Sequence, residues 1–397
     1  MRISSNQMFQ LGLKNITDAQ SALSRTQAEI SSGRKVLTAA DNPIAAVRSV
    51  ELEGAIGRAQ QYIENGNYAK TRLSAEENAV SSALTSLQRV HELALQASNA
   101  TQSNETRGIL ATEIRAQLDN LLQLANTRDG DGRFIFGGYQ QDAKPFTFSA
   151  GSLSYNGDDG RRLLQLGPNR TIADADPGSA VFAGIVQGNG TFTTTANGGN
   201  TGNAVIDAGS VVDQASWNGT NHRVRFTGAD SYEVLDASNA VLSTGVYTSG
   251  QSINFSGVTI TISGEPVAGD EFTISPSGRT DIFSMLDELA SELENPRNNS
   301  VDRALQTNAI NSSLSNIGNA IDHLVGKQTD IGARLNVVDQ QEELNSGSVL
   351  QLQETLSGLV DVDVVEAASR FNQTLVSLQA SQQAFARVQQ LSLFNYL

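Results

Sequence analysis

The chain has 397 residues, a formal net charge of −15 and no cysteine. Its acidity repels phosphate backbones and argues against a nucleic-acid partner. The missing thiols exclude disulfide scaffolds, thiol catalysis and cysteine-based metal sites. Hydrophobic residues make up 39%, enough for real cores, while aromatics are only 6%, with a single tryptophan, Trp217.

The first 20 residues hold no apolar core of signal-peptide length and no small-residue cleavage site. No run of 18 apolar residues follows anywhere, so no membrane span is expected. If the protein leaves the cell, it does so without a cleaved signal.

Phe9, Ile16, Leu23 and Ile30 stand seven residues apart and predict the first helix. Asp41-Asn42-Pro43 then places a capping residue before a proline at a helix start. Leu73, Val80, Leu87 and Ala94 form one row of a second helix, with Ala83, Val90 and Ala97 beside it. Ser103 or Asn104 caps a third helix through Leu110, Ile114, Leu118, Leu121 and Ala125. No proline falls between residues 44 and 144.

Around Arg133–Gly138, Phe146–Phe148 and Ser154-Tyr155 the pattern becomes that of a small β-element. More than half of the 35 glycines lie between residues 151 and 280. There Tyr232–Leu235, Ser252–Phe255, Val258–Ile262 and Phe272–Ile274 alternate as half-buried strands separated by turns, the pattern of an antiparallel sandwich or barrel. Residues 185–220, rich in Thr, Gly and Asn, carry no functional signal.

Helical spacing returns after Thr280, which precedes Asp281-Ile282-Phe283, and after Asn299-Ser300. Ile331, Leu335, Val338, Val349, Leu352, Leu356 and Leu359 keep one alternating four–three register through Glu342 and Asn345. Asn345 either fixes register or lies at a wet edge. Val364, Phe371, Leu378 and Phe385 close the chain seven residues apart. Repeats of this kind keep one stripe against a partner helix. A helix of ~50 residues extends ~75 Å at about 1.5 Å per residue.

The expected fold is therefore α+β. A long antiparallel α-helical rod or coiled coil is built from both termini, with an antiparallel β-rich outer domain inserted. The expected boundaries are 1–42 with 361–397 for a terminal coiled-coil domain, 43–178 with 279–360 for a helical rod domain with its β-element at about 133–178, and 179–278 for the outer domain.

Catalytic motifs are missing. His91, His222 and His323 lack zinc-site spacing, and His222 reads as a turn residue. Asp129-Gly-Asp131-Gly-Arg133 begins like a calcium loop, but Arg133 and Gln140 stand where oxygen ligands are required, so a tight turn is expected. Asn156–Gly160 reads as a hairpin turn. Glu76-Glu77 and Glu342-Glu343 read as solvated faces, because adjacent helical residues point in different directions. No catalytic residue, cofactor or metal ligand is assigned. A secreted enzyme or adhesin carried by residues 180–280 stays open as an alternative.

Two stretches resemble the N-terminal signature of the bacterial flagellin superfamily. They are Ile30-Ser-Ser-Gly-Arg-Lys-Val-Leu-Thr-Ala-Ala-Asp-Asn-Pro-Ile-Ala-Ala46 and Ser86-Leu-Gln-Arg-Val-His-Glu-Leu-Ala-Leu-Gln-Ala-Ser-Asn99. Met1-Arg-Ile-Ser4, Leu378-Gln-Ala-Ser381 and Leu391-Ser-Leu-Phe-Asn-Tyr-Leu397 resemble its hook-associated, hook–filament junction branch rather than filament flagellins. Residues 133–184 and Gly264–Phe272 fit that branch also.

The resemblance implies a structural subunit of the bacterial flagellum, exported without a cleaved signal through a type III apparatus and found outside the cell. It implies flagellin, the hook-side junction protein, further copies in a ring and an export chaperone as partners. The assembly interface it implies comprises Phe9, Ile16, Leu23 and Ile30 against Val364, Phe371, Leu378 and Phe385, with Leu393 and Phe394. A divergent filament flagellin is the alternative within the superfamily.

Overall fold

The computed structural model describes residues 5–149 and 151–393, and side chains from 7 to 387 apart from residue 150. The expected interface residue Phe394 lies outside the described residues, as do Met1–Ser4; Leu393 ends the last helix, its side chain outside the description.

Three helices come first: α1 (Ser5–Ser32), α2 (Pro43–Ser98) and α3 (Asn104–Ala125). Then come two hairpins, β1 (Phe146–Ser149) with β2 (Ser152–Tyr155) and β3 (Leu163–Gly167) with β4 (Arg170–Ala173), and the short α4 (Gly178–Phe182). The β-rich region follows with β5 (Ile185–Val186), β6 (Phe192–Ala196), β7 (Val205–Ile206), β8 (Ser210–Val211), β9 (His222–Gly228) and β10 (Ser231–Leu235). It continues with β11 (Val241–Val246), β12 (Ser252–Phe255), β13 (Val258–Ser263), β14 (Glu271–Pro276) and β15 (Arg279–Thr280). The chain ends in α5 (Ile282–Glu294), α6 (Ser300–Val360) and α7 (Val364–Leu393). Long helices from both ends thus bracket a central antiparallel β-rich region, as the proline and glycine distribution predicts.

The helix starts follow local chemistry. Asn42 Oδ1 accepts the Ala45 amide at 3.0 Å ahead of Pro43, and Ser103 Oγ accepts the Thr106 amide at 3.1 Å. Asn299 Oδ1 accepts the Asp302 amide at 2.8 Å. At α5 the cap is Asp281, whose Oδ1 accepts the Ser284 amide at 2.8 Å. Thr280, one residue earlier, belongs to β15.

Two compact units result: residues 1–64 with 341–397, and residues 65–340. α2 and α6 each contribute to both. In the second unit the core is extensive. Leu73, Val80, Ala83, Leu87, Val90, Ala94 and Ala97 are all fully buried, so both expected rows of α2 face inward. They join Ile114 and Leu121 of α3, Phe283 and Leu286 of α5, and Ile317, Leu324 and Ile331 of α6. Phe136, Phe146, Phe182 and Phe283 meet there with ring centroids 5.0–6.0 Å apart.

The β-rich module has its own core. A five-stranded sheet ordered β11-β10-β9-β14-β6 and a second sheet ordered β12-β13-β7, with β8 also on β13, are both antiparallel. Phe192, Val224, Phe226, Val258, Ile260, Ile262, Phe272 and Ile274 fill the space they enclose. The alternation of Val258–Ser263 is realised, with Val258, Ile260 and Ile262 all buried. β5 and β15 pair, so the chain enters and leaves the module side by side.

Four local expectations need correction. Arg133–Gly138 forms no strand; it turns back on itself, and Phe134, Ile135 and Phe136 enter the core individually. Asn156–Gly160 is no hairpin turn, because it joins β2 to β3, which do not pair; Asp158 Oδ1 ties it down by accepting the amides of Tyr139 (2.9 Å) and Gly160 (2.8 Å). His222 is not a turn residue. It opens β9, buried, with its ring 5.5 Å from those of Trp217 and Phe255. Glu76 does not face solvent; it is fully buried on α2. The Asp129 loop is the expected tight turn, Asp129 Oδ1 accepting the amides of Asp131 (3.0 Å) and Arg133 (2.9 Å), while its carboxylate also pairs with buried Arg72.

Candidate assembly interface

In the first unit α1 and α7 run antiparallel: Phe9 meets Phe385 with ring centroids 5.1 Å apart, and Glu29 meets Arg370. The sevenfold spacing places one residue of each row on the shared seam every two turns. Ile16, Leu23, Ile30, Phe371 and Phe385 are half-buried there, and Leu378 is 7% exposed. Two expected members lie further out: Phe9 is 43% exposed and Val364, at the first turn of α7, is 55% exposed.

The seam becomes polar toward the helix junctions. Thr26, Glu29 and Ala367 are buried. Arg25 Nε donates to Glu29 Oε1 at 3.2 Å and Arg370 Nη2 to Glu29 Oε2 at 3.3 Å, so the buried carboxylate is matched from both helices. Arg25 also pairs with Asp41 at 3.1 Å. Asp41 Oδ2 accepts the Thr38 amide and hydroxyl and the Leu37 amide, and these bonds, Thr38 foremost, hold the carboxyl below its ordinary range.

Main-chain bonds join the two interruptions. Lys35 N–H donates to Val360 O at 2.8 Å, Val362 N–H to Gly33 O at 2.9 Å, and Lys35 Nζ to Gly358 O at 2.7 Å. Gly33, at φ +71°, supplies the left-handed turn that ends α1. Asn345 is buried on α6 and accepts a bond from Gln341 Nε2 at 3.1 Å.

The apolar residues left on the outside are more informative than those inside. Met8, Leu11 and Leu13 of α1, Ile44, Val47 and Val50 of α2, Leu344 and Leu350 of α6, and Val365 and Val376 of α7 are all exposed. Met8, Leu11, Gly12, Ala384 and Phe385 border a groove of about 300 Å³. On α2, Ala45, Leu52, Ile56 and Ala59 make the buried row, so Ile44, Val47 and Val50 fall on the opposite face. The helix is apolar on two sides at its start. The three-residue spacing of Ile44, Val47 and Val50 is the mark of this second apolar face in the sequence.

Among the described residues no cluster of His, Asp and Glu is placed to hold a metal ion, and no helix is long and apolar enough to cross a membrane.

Three family models match the chain: the bacterial flagellin N-terminal helical region at residues 3–141, the bacterial flagellin C-terminal helical region at 314–397, and the D2-like domain of flagellar hook-associated protein 1 at 195–276. Flagellar hook-associated protein 3 of Escherichia coli is 26% identical over 396 residues, spanning 100% of this chain and 99% of that protein. The crystal structure of Xanthomonas campestris FlgL is 36% identical, with a TM-score of 0.74, over 77% of this chain and 99% of that one. The flagellar junction protein FlgL of Legionella pneumophila is 30% identical, with a TM-score of 0.72, over 79% of this chain and 100% of that one. The chain belongs to the flagellar hook-associated protein 3 (FlgL) family, a branch of the flagellin-like proteins.

Proposed function

We propose that this chain joins the flagellar hook to the filament by packing the helical ends of neighbouring subunits against one another. Its relatives are structural flagellar proteins, and it is a structural junction subunit of the flagellum. Copies of the chain form a ring, the hook-side junction protein lies on one side and flagellin on the other. The subunit reaches this place outside the cell by export without a cleaved signal, with a chaperone covering its ends beforehand.

One observation carries this reading: the apolar residues the first unit leaves exposed. Among the described residues of α1 and α7 the buried apolar side chains are Ala367 and Leu378. Against them stand Met8, Leu11, Leu13, Val365 and Val376 on the same two helices, open to solvent. Each such side chain gains ~1.5–3 kcal/mol when it is buried. Large apolar side chains left open in this number on one pair of helices point to a protein contact. The heptad rows close each subunit's own pair, and the outer faces take the neighbours.

The filament-flagellin alternative is disfavoured, since the flagellin models cover only the helical ends and the junction relatives align from end to end. Electron microscopy of cells lacking this gene, with an assay for flagellin in the medium, tests the reading. Intact hooks without filaments and flagellin shed into the medium are expected. Normal filaments on those hooks would refute it.

A further inference from the structure

The second unit contains a buried ionic cluster. Arg72 and Glu76 are one turn apart on α2, 2% and 0% exposed. Arg72 pairs with Asp129, in the turn after α3, and with Asp174, in the segment joining β4 to α4. Arg162, before β3, also pairs with Asp174 and stacks over the Tyr68 ring at 4.8 Å. Asp176 is held by Arg334 of α6 at 2.5 Å and by Arg161 at 3.3 Å. Every carboxylate here except Glu76 thus has a guanidinium.

Glu76 differs in kind. Among the described residues no cation lies within ion-pair distance of it. Its Oε1 accepts the Asp176 amide at 3.0 Å, and its Oε2 is buried with no hydrogen-bond partner. Asp176 and Asp174 are its carboxylate neighbours, and Arg334 is the largest opposing influence. Removing a carboxylate from water with two others beside it and no paired cation favours the neutral acid.

We propose that Glu76 is a proton-gated clasp, which holds the segment Asp174–Phe182 against α2 and α6 when protonated and releases it when ionised. In the neutral form Glu76 takes the Asp176 amide and leaves the Asp176 carboxylate to Arg334 and Arg161. In the ionised form Glu76 repels Asp176 and Asp174 and competes with them for Arg334. The segment under strain leads straight into α4, where Phe182 packs on Phe136, Phe146 and Phe283, so release opens an aromatic layer of the core.

Burial first, then Asp176, raises the Glu76 carboxyl from 4.5 to about 8. Because the folded value lies above the unfolded one, the stabilising effect is fully present below pH 4.5 and is lost as pH rises through about 8. The opening equilibrium should therefore rise on the order of a hundredfold between about pH 6 and pH 9.

The test is hydrogen exchange on the full chain at those two pH values, comparing peptides covering 172–182 with β14 as internal reference and correcting for intrinsic exchange. Wild type should open at 172–182 at the higher pH while β14 does not. Glu76→Gln keeps an acceptor for the Asp176 amide and cannot ionise, and should give no differential opening; Glu76→Met should likewise be flat. An unchanged wild-type profile, or the same pH response in both variants, would overturn the proposal. This clasp does not depend on the junction reading, and its failure would leave that reading untouched.

Discussion

Gly12 of α1 lies beneath the ring of Phe385 of α7: a Cβ at Gly12 would stand 2.7 Å from ring carbon Cδ2. The absent side chain lets the two helices close at their outer ends, where Phe9 meets the same ring. Gly12→Leu should force the pair apart, at a cost of ~1–3 kcal/mol for the overpacked seam. The chain has no native cysteine, so the register can be read directly. Gly12→Cys with Phe385→Cys should form an intrachain disulfide, visible as faster migration on a non-reducing gel, and Gly12→Cys with Val364→Cys should not. The reverse pattern would refute the antiparallel register.

The two units should differ in resistance to proteolysis. The α1–α7 seam encloses few large side chains, whereas α2, α3, α5 and α6 share a continuous core. Limited proteolysis of the free chain should cut within α1 and α7 well before 65–340, because local opening follows the density of buried contacts. Incorporation into the junction should protect those ends. Equal cutting of both units in the free chain would count against the ends relying on neighbours.

Truncations should separate stability from assembly. Leu87 is fully buried at the centre of the helical core. Leu87→Ala should cost 2–5 kcal/mol in urea unfolding, within the range for buried leucine truncations. Val47→Ala removes an exposed side chain, should change unfolding by less than about 0.5 kcal/mol, and should still weaken attachment of filaments. A Val47→Ala variant that assembles as wild type would remove α2 from the proposed surface.

Arg115 links α3 to α5, donating to Asp287 Oδ1 at 2.7 Å and to Glu294 at 2.6 and 2.9 Å. The Arg115 bonds hold the Glu294 carboxyl below its ordinary 4.5. A depressed folded value gives stability that is present above pH 4.5 and lost as pH falls through the lowered value. The site is half open to water, so Arg115→Met should cost only about 1 kcal/mol or less, decreasing as salt is added. Calorimetric melting at low and high salt checks this; a large, salt-independent loss would mean that the arginine acts by packing.

Much of the fold was legible because its signals are local and repetitive. The rows through Leu73 and Ala83 predicted burial along α2, and Asn42, Ser103 and Asn299 cap where capping chemistry places them. The strands around Val258 and Phe272 followed from alternation. What escaped depended on contacts distant in sequence. Glu76 stands seven residues before Ala83, on the buried row of α2 itself, but a carboxylate reads as solvated until the amide that it accepts, that of Asp176 100 positions later, is known. Phe134–Phe136 read as a strand because apolar runs look alike until a partner strand is known to be missing. Periodicity marks the stripe that meets another helix but does not separate a partner in the same chain from one in the next.

The central claim is that the exposed apolar faces of α1, α2, α6 and α7 hold neighbouring subunits. Val376 is exposed on α7, away from buried Leu378. A charge there costs the free chain little and costs a dry contact several kcal/mol. The direct measurement is filament attachment, counted by electron microscopy, in a deletion strain complemented with Val376→Asp, alongside circular dichroism of the purified variant. The account predicts a dichroism spectrum like wild type and hooks without filaments. Wild-type filament numbers on a correctly expressed variant would contradict it.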